Sequence, residues 1–338
     1  MGELDLIALE RWATTHVDGF AGPVTATKVT GGQSNPTYRL ETGNGRYVLR
    51  RKPPGVLLKS AHAVDREFRV QTALADTNVP VPRMHALCED DIVIGSAFYI
   101  MDFVDGVAFD QPSLPELSNE ARGQVMDALN AVLVAIHQVD IETVGLSEFG
   151  PHGHYCQRQT DRWTKQYRAS QTDNLSDMDD LISWLQTNMP EDDGQRRLVH
   201  GDYRLDNLLF SPDGQEVCAV LDWELSTIGH PYADLAGVIM QWAMPANGDG
   251  RGLAGVDRAA LGLWSDKQFL ETYCTRRGIP GIEDFNFYLA FSFFRMAAIL
   301  QGVKKRALDG NAADPERAAR LGAYVPEFAR AGLKAAHP

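Results

Sequence analysis

Apolar positions follow two different rhythms along the chain. In the first hundred residues they come in short runs broken by glycine and proline; beyond that they recur at helical spacing. Leu6, Ile7 and Leu9 with Trp12 predict a short amphipathic helix. Residues 24–30 are rich in β-branched side chains and read as a strand, which 31–35 (Gly-Gly-Gln-Ser-Asn) interrupts before 37–41 resumes it. Asn44-Gly45 is a strong hairpin signal, so 47–50 should return antiparallel. Strand, glycine loop, strand, hairpin and strand make a plan suited to covering phosphates. Val64, Phe68, Gln71 and Leu74 then keep a helical period, with Glu67 beside the stripe, where it could meet the cation at the end of the preceding strand; the bland alternative, and the commoner fate of a glutamate, is a solvated face. Residues 97–104 are mostly apolar, end at Asp105-Gly106 and read as a strand leading to a hinge.

The remainder is predicted to be largely helical. Val125, Met126, Leu129, Val132, Leu133 and Ile136 form a clear stripe, and 158–170, 178–185, 234–242 and 284–308 read as further helices. Residues 243–255, rich in Gly, Pro and Asn, read as an exposed loop, and 315–338 as a weaker helical stretch. No internal repeat is present. A division near residue 104 is expected: 1–104 as a β-rich lobe with a preceding helix, 105–338 as a helical lobe carrying the polar loop described next.

One segment breaks the helical pattern. Apolar runs at 208–210 and 217–221 flank a polar turn containing Pro212-Asp213-Gly214, so a β-hairpin is predicted, ending in Asp222. Immediately before it stands His200-Gly-Asp202-Tyr-Arg-Leu-Asp-Asn207, the H-x-D-x-x-x-x-N spacing of kinase catalytic loops. Asp202 can accept the proton of an attacking hydroxyl, while Asn207 and Asp222 offer hard oxygen ligands suited to Mg²⁺. A base and two metal ligands are what phosphoryl transfer asks of a protein, since its catalysis is mainly positioning and relief of charge. The bland alternative is a polar loop whose Asp and Asn only cap turns.

Composition narrows the partners. The chain has 338 residues and a formal net charge of −13, which argues against a general nucleic-acid or anionic-membrane surface. Cys88, Cys156, Cys218 and Cys274 are scattered without a C-x-x-C pair, as expected of reduced thiols. The first ten residues carry acids where a signal peptide is basic, and no uncharged apolar run approaches spanning length. A soluble, cytoplasmic protein is expected, with oligomeric state left open. There is no G-x-x-x-x-G-K-[ST], which excludes a P-loop.

With these motifs in order, the chain resembles the aminoglycoside phosphotransferase and choline kinase-like superfamily over roughly residues 25–300. Its wording is most similar to the kinase-like domain found fused to acyl-CoA dehydrogenases. The likeness is carried by Arg50-Arg-Lys-Pro-Pro-Gly55, Ser60-Ala-His-Ala-Val-Asp-Arg-Glu67, Trp163-Thr-Lys-Gln-Tyr-Arg-Ala-Ser170, His200-Gly-Asp-Tyr-Arg-Leu-Asp-Asn207 and Leu221-Asp-Trp-Glu-Leu-Ser226. The resemblance implies an α+β, bilobal protein-kinase-like fold, with a small antiparallel β-lobe and a larger helical lobe. It implies an enzyme that moves the γ-phosphate of ATP, with Mg²⁺, to a hydroxyl of a small molecule. Asp202 would be the base; Asn207 and Asp222 the metal ligands; Glu67 the helix glutamate that pairs with a strand cation. Gly32 and Ser34 would lie in the phosphate-covering loop. Asp102 and Val104 would meet adenine through their backbone, and Asp234 would brace the loop at His200. Glu224 resembles an acid that some relatives aim at a second metal. The strand cation falls on Arg50, where most relatives have lysine, and a planar fork is not a point charge; Lys52 is the substitute candidate.

Other readings remain. A metal-dependent hydrolase or phosphatase could use His200, Asp202, Asp222 and His230, though it leaves Asn207 and Glu67 unexplained. A catalytically silent nucleotide-binding module is suggested by Arg50 alone. For the acceptor, the dehydrogenase-fused relatives imply hydroxyacyl-CoA thioesters; an aminoglycoside or a choline-like alcohol is the alternative. Arg158, Arg162, Lys165 and Arg168 recur along one side of a predicted helix and are candidates for binding a CoA-linked acceptor. A solvated basic face paired with local acids is the competing account.

Overall fold

The computed structural model describes residues 4–29, 35–53, 63–246, 251–312 and 314–337. In chain order the elements are α1 (Leu6–His16), β1 (Thr25–Lys28), β2 (Thr37–Glu41), β3 (Arg46–Arg51), α2 (Val64–Leu74), β4 (Met84–Cys88) and β5 (Phe98–Asp102). They continue with α3 (Asn119–Gln138), α4 (Tyr155–Ser170), α5 (Ser176–Thr187), β6 (Arg197–Val199), β7 (Leu208–Phe210), β8 (Val217–Val220) and β9 (Thr227–Gly229). Then come α6 (Pro231–Trp242), α7 (Asp266–Arg277), α8 (Phe285–Leu308), α9 (Pro315–Gly322) and α10 (Val325–Ala336). By contact the chain forms two compact units: Met1–Phe109, Val139–Leu146 and Leu205–Ser226 make the first, and Asp110–Gln138, Ser147–Arg204 and Thr227–Pro338 the second. No helix among the described residues is long and apolar enough to cross a membrane.

The first unit is built on a five-stranded sheet of order β1-β2-β3-β5-β4, with neighbouring strands antiparallel. The hairpin at Asn44-Gly45 forms with Glu41 opposite Arg46, and the Thr42 hydroxyl accepts the Gly45 amide at 3.1 Å inside the loop. Strand β4 is absent from the sequence expectation, because Met84-His-Ala-Leu-Cys88 carries no β-branched residue; pairing with β5 creates it. Side chains alternate across the sheet. Leu40, Tyr47, Leu49, Phe98 and Ile100 pack with Leu9 and Ala13 of α1, while Tyr99 and Met101 pack with Val64 of α2, joined by the partly buried Val48 and Phe68.

The second unit is mainly helical. The α3 stripe is buried at Val125, Met126, Leu129, Leu133 and Ile136, while Val132, also expected in it, is half-buried. Tyr167, Leu181, Phe287, Phe294, Ala297, Ala298 and Phe328 belong to one apolar core drawn from α4, α5, α8 and α10. Gly332 lets α10 lie close: a Cβ there would fall 2.6 Å from Leu181 Cδ2 and 3.2 Å from Phe293 Cβ. Strands β6 and β9, three residues each, form a short ribbon that the sequence pattern was too brief to signal. Helix α7 also lies outside the expectation. It buries only Phe269 and Tyr273, too few for a readable stripe, and stands between a Ser265 N-cap and a left-handed Gly278 C-cap. The loop expected to be exposed at 243–255 is corrected in part. Residues 247–250 lie outside the described set, but Leu253 is buried and its amide donates to Trp242 O at 2.9 Å.

Phe294 is fully buried in the helical core. Phe294→Ala is expected to cost about 3–5 kcal/mol, the usual sum of lost transfer energy and residual cavity. Denaturant unfolding measures it; a loss below about 1 kcal/mol would mean that this core closes over the gap.

Candidate active site

Strand parity separates Arg50 from Arg51 at the end of β3, and the partners each cation meets separate Arg50 from Lys52. Arg51 turns toward the α1 face, where its Nε donates to Ser96 Oγ at 2.8 Å and its Nη2 to Ile94 O at 2.8 Å. Lys52 stands 3.7 Å from Asp65. Arg50 faces the α2 side and meets Glu67, with Nε 3.1 Å from Oε2. Its Nη2 donates to Asp222 Oδ1 and lies 3.9 Å from Glu224 Oε2. The single guanidinium therefore reaches three carboxylates, a geometry for its fork that an ammonium could not reproduce.

Glu67 is fully buried, on the strand cation and not on the solvated helix face that was the bland alternative. Its Oε1 accepts from Asn35 Nδ2 at 2.9 Å and its Oε2 from the Tyr99 hydroxyl at 3.0 Å. Burial pushes the Glu67 carboxyl up to about 7, against the pull of Arg50 and the Tyr99 hydrogen bond. For Arg50, burial works against the charge, but Glu67, Tyr99 and Asp222 outweigh it and hold the guanidinium above its ordinary value. Asn35 and Tyr99 are site residues that the sequence reading missed. Tyr99 had a signal: it is a polar-tipped residue in an otherwise apolar strand. Asn35 is the last residue of the glycine-rich stretch, where a turn role explained it equally well.

The β7–β8 ribbon brings the proposed metal ligands to one end. Leu208 pairs with Val220, and one step beyond, the Leu221 amide donates to Asn207 O at 2.8 Å. Asp222 follows directly, in the left-handed region at φ 64°. Asp tolerates that conformation better than most residues, and such positions concentrate at functional sites. Asp222 and Asn207 offer hard oxygen donors, and Mg²⁺ usually needs only one or two protein ligands because nucleotide phosphates complete its shell. Among the described residues no group of three His, Cys, Asp or Glu side chains stands ready to hold a metal. Two hard oxygen donors fit a metal whose remaining ligands are phosphate oxygens and water. The hydrolase reading requires His230, whose Nε2 lies 3.3 Å from both Asp193 Oδ1 and the Tyr288 hydroxyl, with its ring stacked on Tyr288.

The second unit holds Asp202. Asp234, near the start of α6, accepts the His200 amide at 2.5 Å through Oδ2 and the Gly201 amide at 2.8 Å through Oδ1. Gly201 sits at φ 84°, a left-handed turn that a side chain would strain. Arg295 of α8 donates to Gly201 O at 2.7 Å, a contact for which the sequence gave no signal. Within this loop the Asp202 amide donates to His200 Nδ1 at 3.3 Å, and its carboxylate, about one-third exposed, stands 3.8 Å from Arg204 Nε. His200 itself is fully buried. Asp202, His200 and Asp234 thus lie in the second unit; Arg50, Glu67, Asn207 and Asp222 lie in the first.

The remaining candidates are placed as follows. Asp102 ends β5; its amide donates to Arg83 O at 2.9 Å and its carboxylate meets His85 Nε2 at 2.6 Å, while Val104 lies just past the strand. Gly32 and Ser34 lie outside the described residues. On α4, Trp163 and Tyr167 are buried and anchor the helix. Arg158 donates to His152 O at 2.9 Å and to Gly153 O, and Arg168 pairs with Asp179 at 2.5 Å. Arg162 and Lys165 are exposed, with Arg162 over the Trp163 ring at 5.4 Å.

Comparison with known proteins bears on this geometry. The model of the phosphotransferase enzyme family, APH, matches residues 25–271. The chain belongs to this family. A crystal structure from Ralstonia eutropha, described as a candidate aminoglycoside phosphotransferase, is 47% identical and superposes with a TM-score of 0.91 over 99% of this chain and 98% of that one. A thermostable mutant of aminoglycoside phosphotransferase APH(4)-Ia, solved with AMP-PNP and hygromycin B, shares the fold at 18% identity, with a TM-score of 0.65 over 98% of this chain and 99% of that one. Acyl-CoA dehydrogenase family member 10 of Mus musculus is 46% identical over 311 residues, covering 91% of this chain. The chain spans 29% of that relative's length. An antiparallel β-sheet unit and a mainly helical unit make up the α+β, protein-kinase-like fold of the phosphotransferase family, to which the sequence motifs pointed.

The buried carboxyl makes a pH prediction. Glu67 ionises as pH rises through about 7, so its pair with Arg50 is complete only on the alkaline side. Because the folded value exceeds the ordinary 4.5, Glu67 favours folding fully only below 4.5, and that contribution is lost as pH climbs through about 7. Nucleotide affinity should move the opposite way, rising across the upper part of that window. Tyr99→Phe removes a donor that favours the carboxylate, so the binding midpoint should shift to higher pH than in wild type. Titration calorimetry with MgATP on both proteins, pH by pH, cancels the ionisation of the nucleotide itself; superimposable profiles would sink the assignment.

Proposed function

We propose that this chain is an ATP-dependent phosphotransferase that moves the γ-phosphate of ATP to a hydroxyl of a small molecule. The observation that carries the reading is the Arg50 fork, which ties Glu67 to Asp222 at the end of the ribbon whose first strand follows Asn207. In this reading Asp202 takes the proton of the acceptor hydroxyl. The hydroxyl oxygen forms its bond to the γ-phosphorus as the bond to the β–γ bridging oxygen breaks, and ADP leaves with that electron pair. Asn207 and Asp222 would hold Mg²⁺, which supplies relief of charge on the phosphates when bound. Arg50 turns its fork to phosphate oxygens, and Glu67 keeps it aimed. Asp102 and Val104 would receive adenine through their backbone, and the stretch with Gly32 and Ser34 would cover the phosphates.

For the acceptor we favour a hydroxyacyl-CoA. The support is the likeness to acyl-CoA dehydrogenase family members, together with the exposed cations Arg162 and Lys165 on a chain of net charge −13. An aminoglycoside or choline-like alcohol is the competing outcome, and incubation of the protein with MgATP and a panel of all three classes separates them.

Asp202→Asn is expected to keep MgATP affinity while turnover falls by about 10² to 10⁴, the usual worth of a general base. Calorimetry and a phosphoryl-transfer assay read the two quantities separately, and wild-type turnover would remove Asp202 from the chemistry. Wild-type protein that binds MgATP but turns over none of the panel is the result that a silent nucleotide-binding module would give.

Reversing charge at Arg162 and Lys165 together should raise KM for a CoA-linked acceptor several-fold, and more at low salt than at high. KM for ATP should hardly change. Equal effects on both substrates would return this face of α4 to an ordinary solvated role.

A further inference from the structure

We propose that Arg295 is an acceptor-binding residue, selecting a carbonyl or carboxylate oxygen near the reacting hydroxyl and turning away cationic alcohols. The inference rests on the phosphotransferase reading for its kinetic consequence, but its geometry lies within the second unit alone. Arg295 is half-buried on α8. Its Nη2 donates at 2.7 Å to Gly201 O, the carbonyl of the peptide that leads into Asp202. Its guanidinium carbon lies 5.7 Å from the centre of the Trp163 ring on α4. Exposed Arg162 stands over the same ring at 5.4 Å, so cations run from the outer face of α4, past Trp163, to the catalytic loop.

A cation drawn partly out of water is normally answered by an acid. The chain holds 45 acidic residues against 32 basic ones, yet among the described residues no acid pairs with Arg295. Arg50, by contrast, meets Glu67 and Asp222. A carbonyl and an aromatic face hold the Arg295 guanidinium in place but leave its charge unanswered and most of its N–H groups without a partner. Polar atoms on α4 share that condition. Thr160 Oγ1, Trp163 Nε1, Thr164 Oγ1 and the Tyr167 hydroxyl are buried and make no hydrogen bond with the described residues. Their spacing puts them on one stripe of α4, the stripe whose Trp163 and Tyr167 pack into the core with α8. Native interiors leave few such atoms unpaired, and each one that remains has a reason.

The chemistry of these groups selects the ligand. A guanidinium fork suits an oxygen with in-plane lone pairs, such as a carboxylate or a thioester carbonyl, and it repels an ammonium. The Trp163 N–H can only donate, so it asks for the same kind of atom. Because Arg295 is fastened to the carbonyl preceding Asp202, an acceptor oxygen held by its fork is registered against the base itself. The hydroxyl then arrives oriented, which is how a contact away from the reacting atoms raises a rate. An aminoglycoside or a choline-like alcohol would meet uncompensated positive charge at the same point and be excluded by repulsion.

The test is titration calorimetry on the full chain, followed by phosphoryl transfer from MgATP to each ligand. The ligands are the hydroxybutyryl-CoA isomers, the matching free hydroxybutyrates, CoA alone, kanamycin and choline. Arg295→Gln keeps a donor toward Gly201 and loses the charge; Arg295→Lys keeps the charge and loses the fork; Trp163→Phe removes the indole N–H. Wild type should bind at least one hydroxybutyryl ligand, and Arg295→Gln should weaken that binding about 10- to 100-fold, the worth of a hydrogen bond to a charged group. Arg295→Lys should fall between the two, and Trp163→Phe should lose several-fold. A loss confined to the CoA esters names a thioester carbonyl as the ligand oxygen, and one shared by the free acids names a carboxylate; both support the assignment. An equal loss for CoA alone, kanamycin or choline would make Arg295 a prop for the loop or a phosphate contact and overturn the proposal. Unchanged affinity in Arg295→Gln, or wild type that binds none of the hydroxybutyryl ligands, would overturn it as well. Binding that depends on Arg295 without phosphoryl transfer to any ligand leaves the site standing and sinks the phosphotransferase reading instead. Should Arg295→Gln not fold, Arg295→Lys and Trp163→Phe carry both readouts.

Discussion

The Arg50 guanidinium has been taken almost wholly out of water and set among three carboxylates, and the first unit is arranged to make that tolerable. A buried cation is costly unless opposite charge and hydrogen bonds answer it, and a buried carboxylate makes the same demand. Here each answers the other. Glu67 is fully buried because Arg50, Asn35 and Tyr99 meet both of its oxygens. Removing one member of such a set leaves an uncompensated charge and typically costs about 3–5 kcal/mol. The sheet, α2 and the β7–β8 ribbon are thereby joined by charge at one point as well as by apolar packing.

The chemistry was more legible in the sequence than some of the scaffold. The spacing from His200 to Asn207 and the hairpin ending in Asp222 could be read directly, because turn residues and apolar runs there are unambiguous. The helices with full stripes, such as α3, were equally clear. Strand β4 was not, since its residues have little strand propensity and pairing with β5 decides their state. Helix α7 was hidden because it buries two aromatic residues and leaves the rest polar. The pairing of Glu67 with the strand cation was given by the resemblance, but its full burial was not legible locally, because burial of a glutamate depends on who stands opposite, and the partners come from 17 and 32 positions away. The resemblance had already placed the strand cation on Arg50, and the structure pairs it with Glu67 while Lys52 stands by Asp65.

Family membership and substrate identity rest on different residues. The protein-kinase-like fold is shared with aminoglycoside phosphotransferases solved with hygromycin B or spectinomycin. A fold shared at such low identity does not by itself fix the acceptor. On α4 the two buried aromatics fix the helix, the end cations are held by local partners, and the middle two remain exposed. A change at those two positions can therefore alter the charge of this face without disturbing what holds the helix.

The parity of β3 has a consequence for insertions and deletions. Arg50 and Arg51 are chemically identical neighbours with opposite assignments, one toward Glu67 and one toward Ser96 and Ile94. Losing one residue between Tyr47 and Arg50, with the hairpin kept in register, would exchange the faces of everything after it. A guanidinium would still point at Glu67, but Leu49 would leave the apolar cluster beneath α1 to make room for the other. Length variation in this family should therefore be absorbed in the loops that border β3 and be selected against within it, even though the sequence there would still read as two arginines in a row.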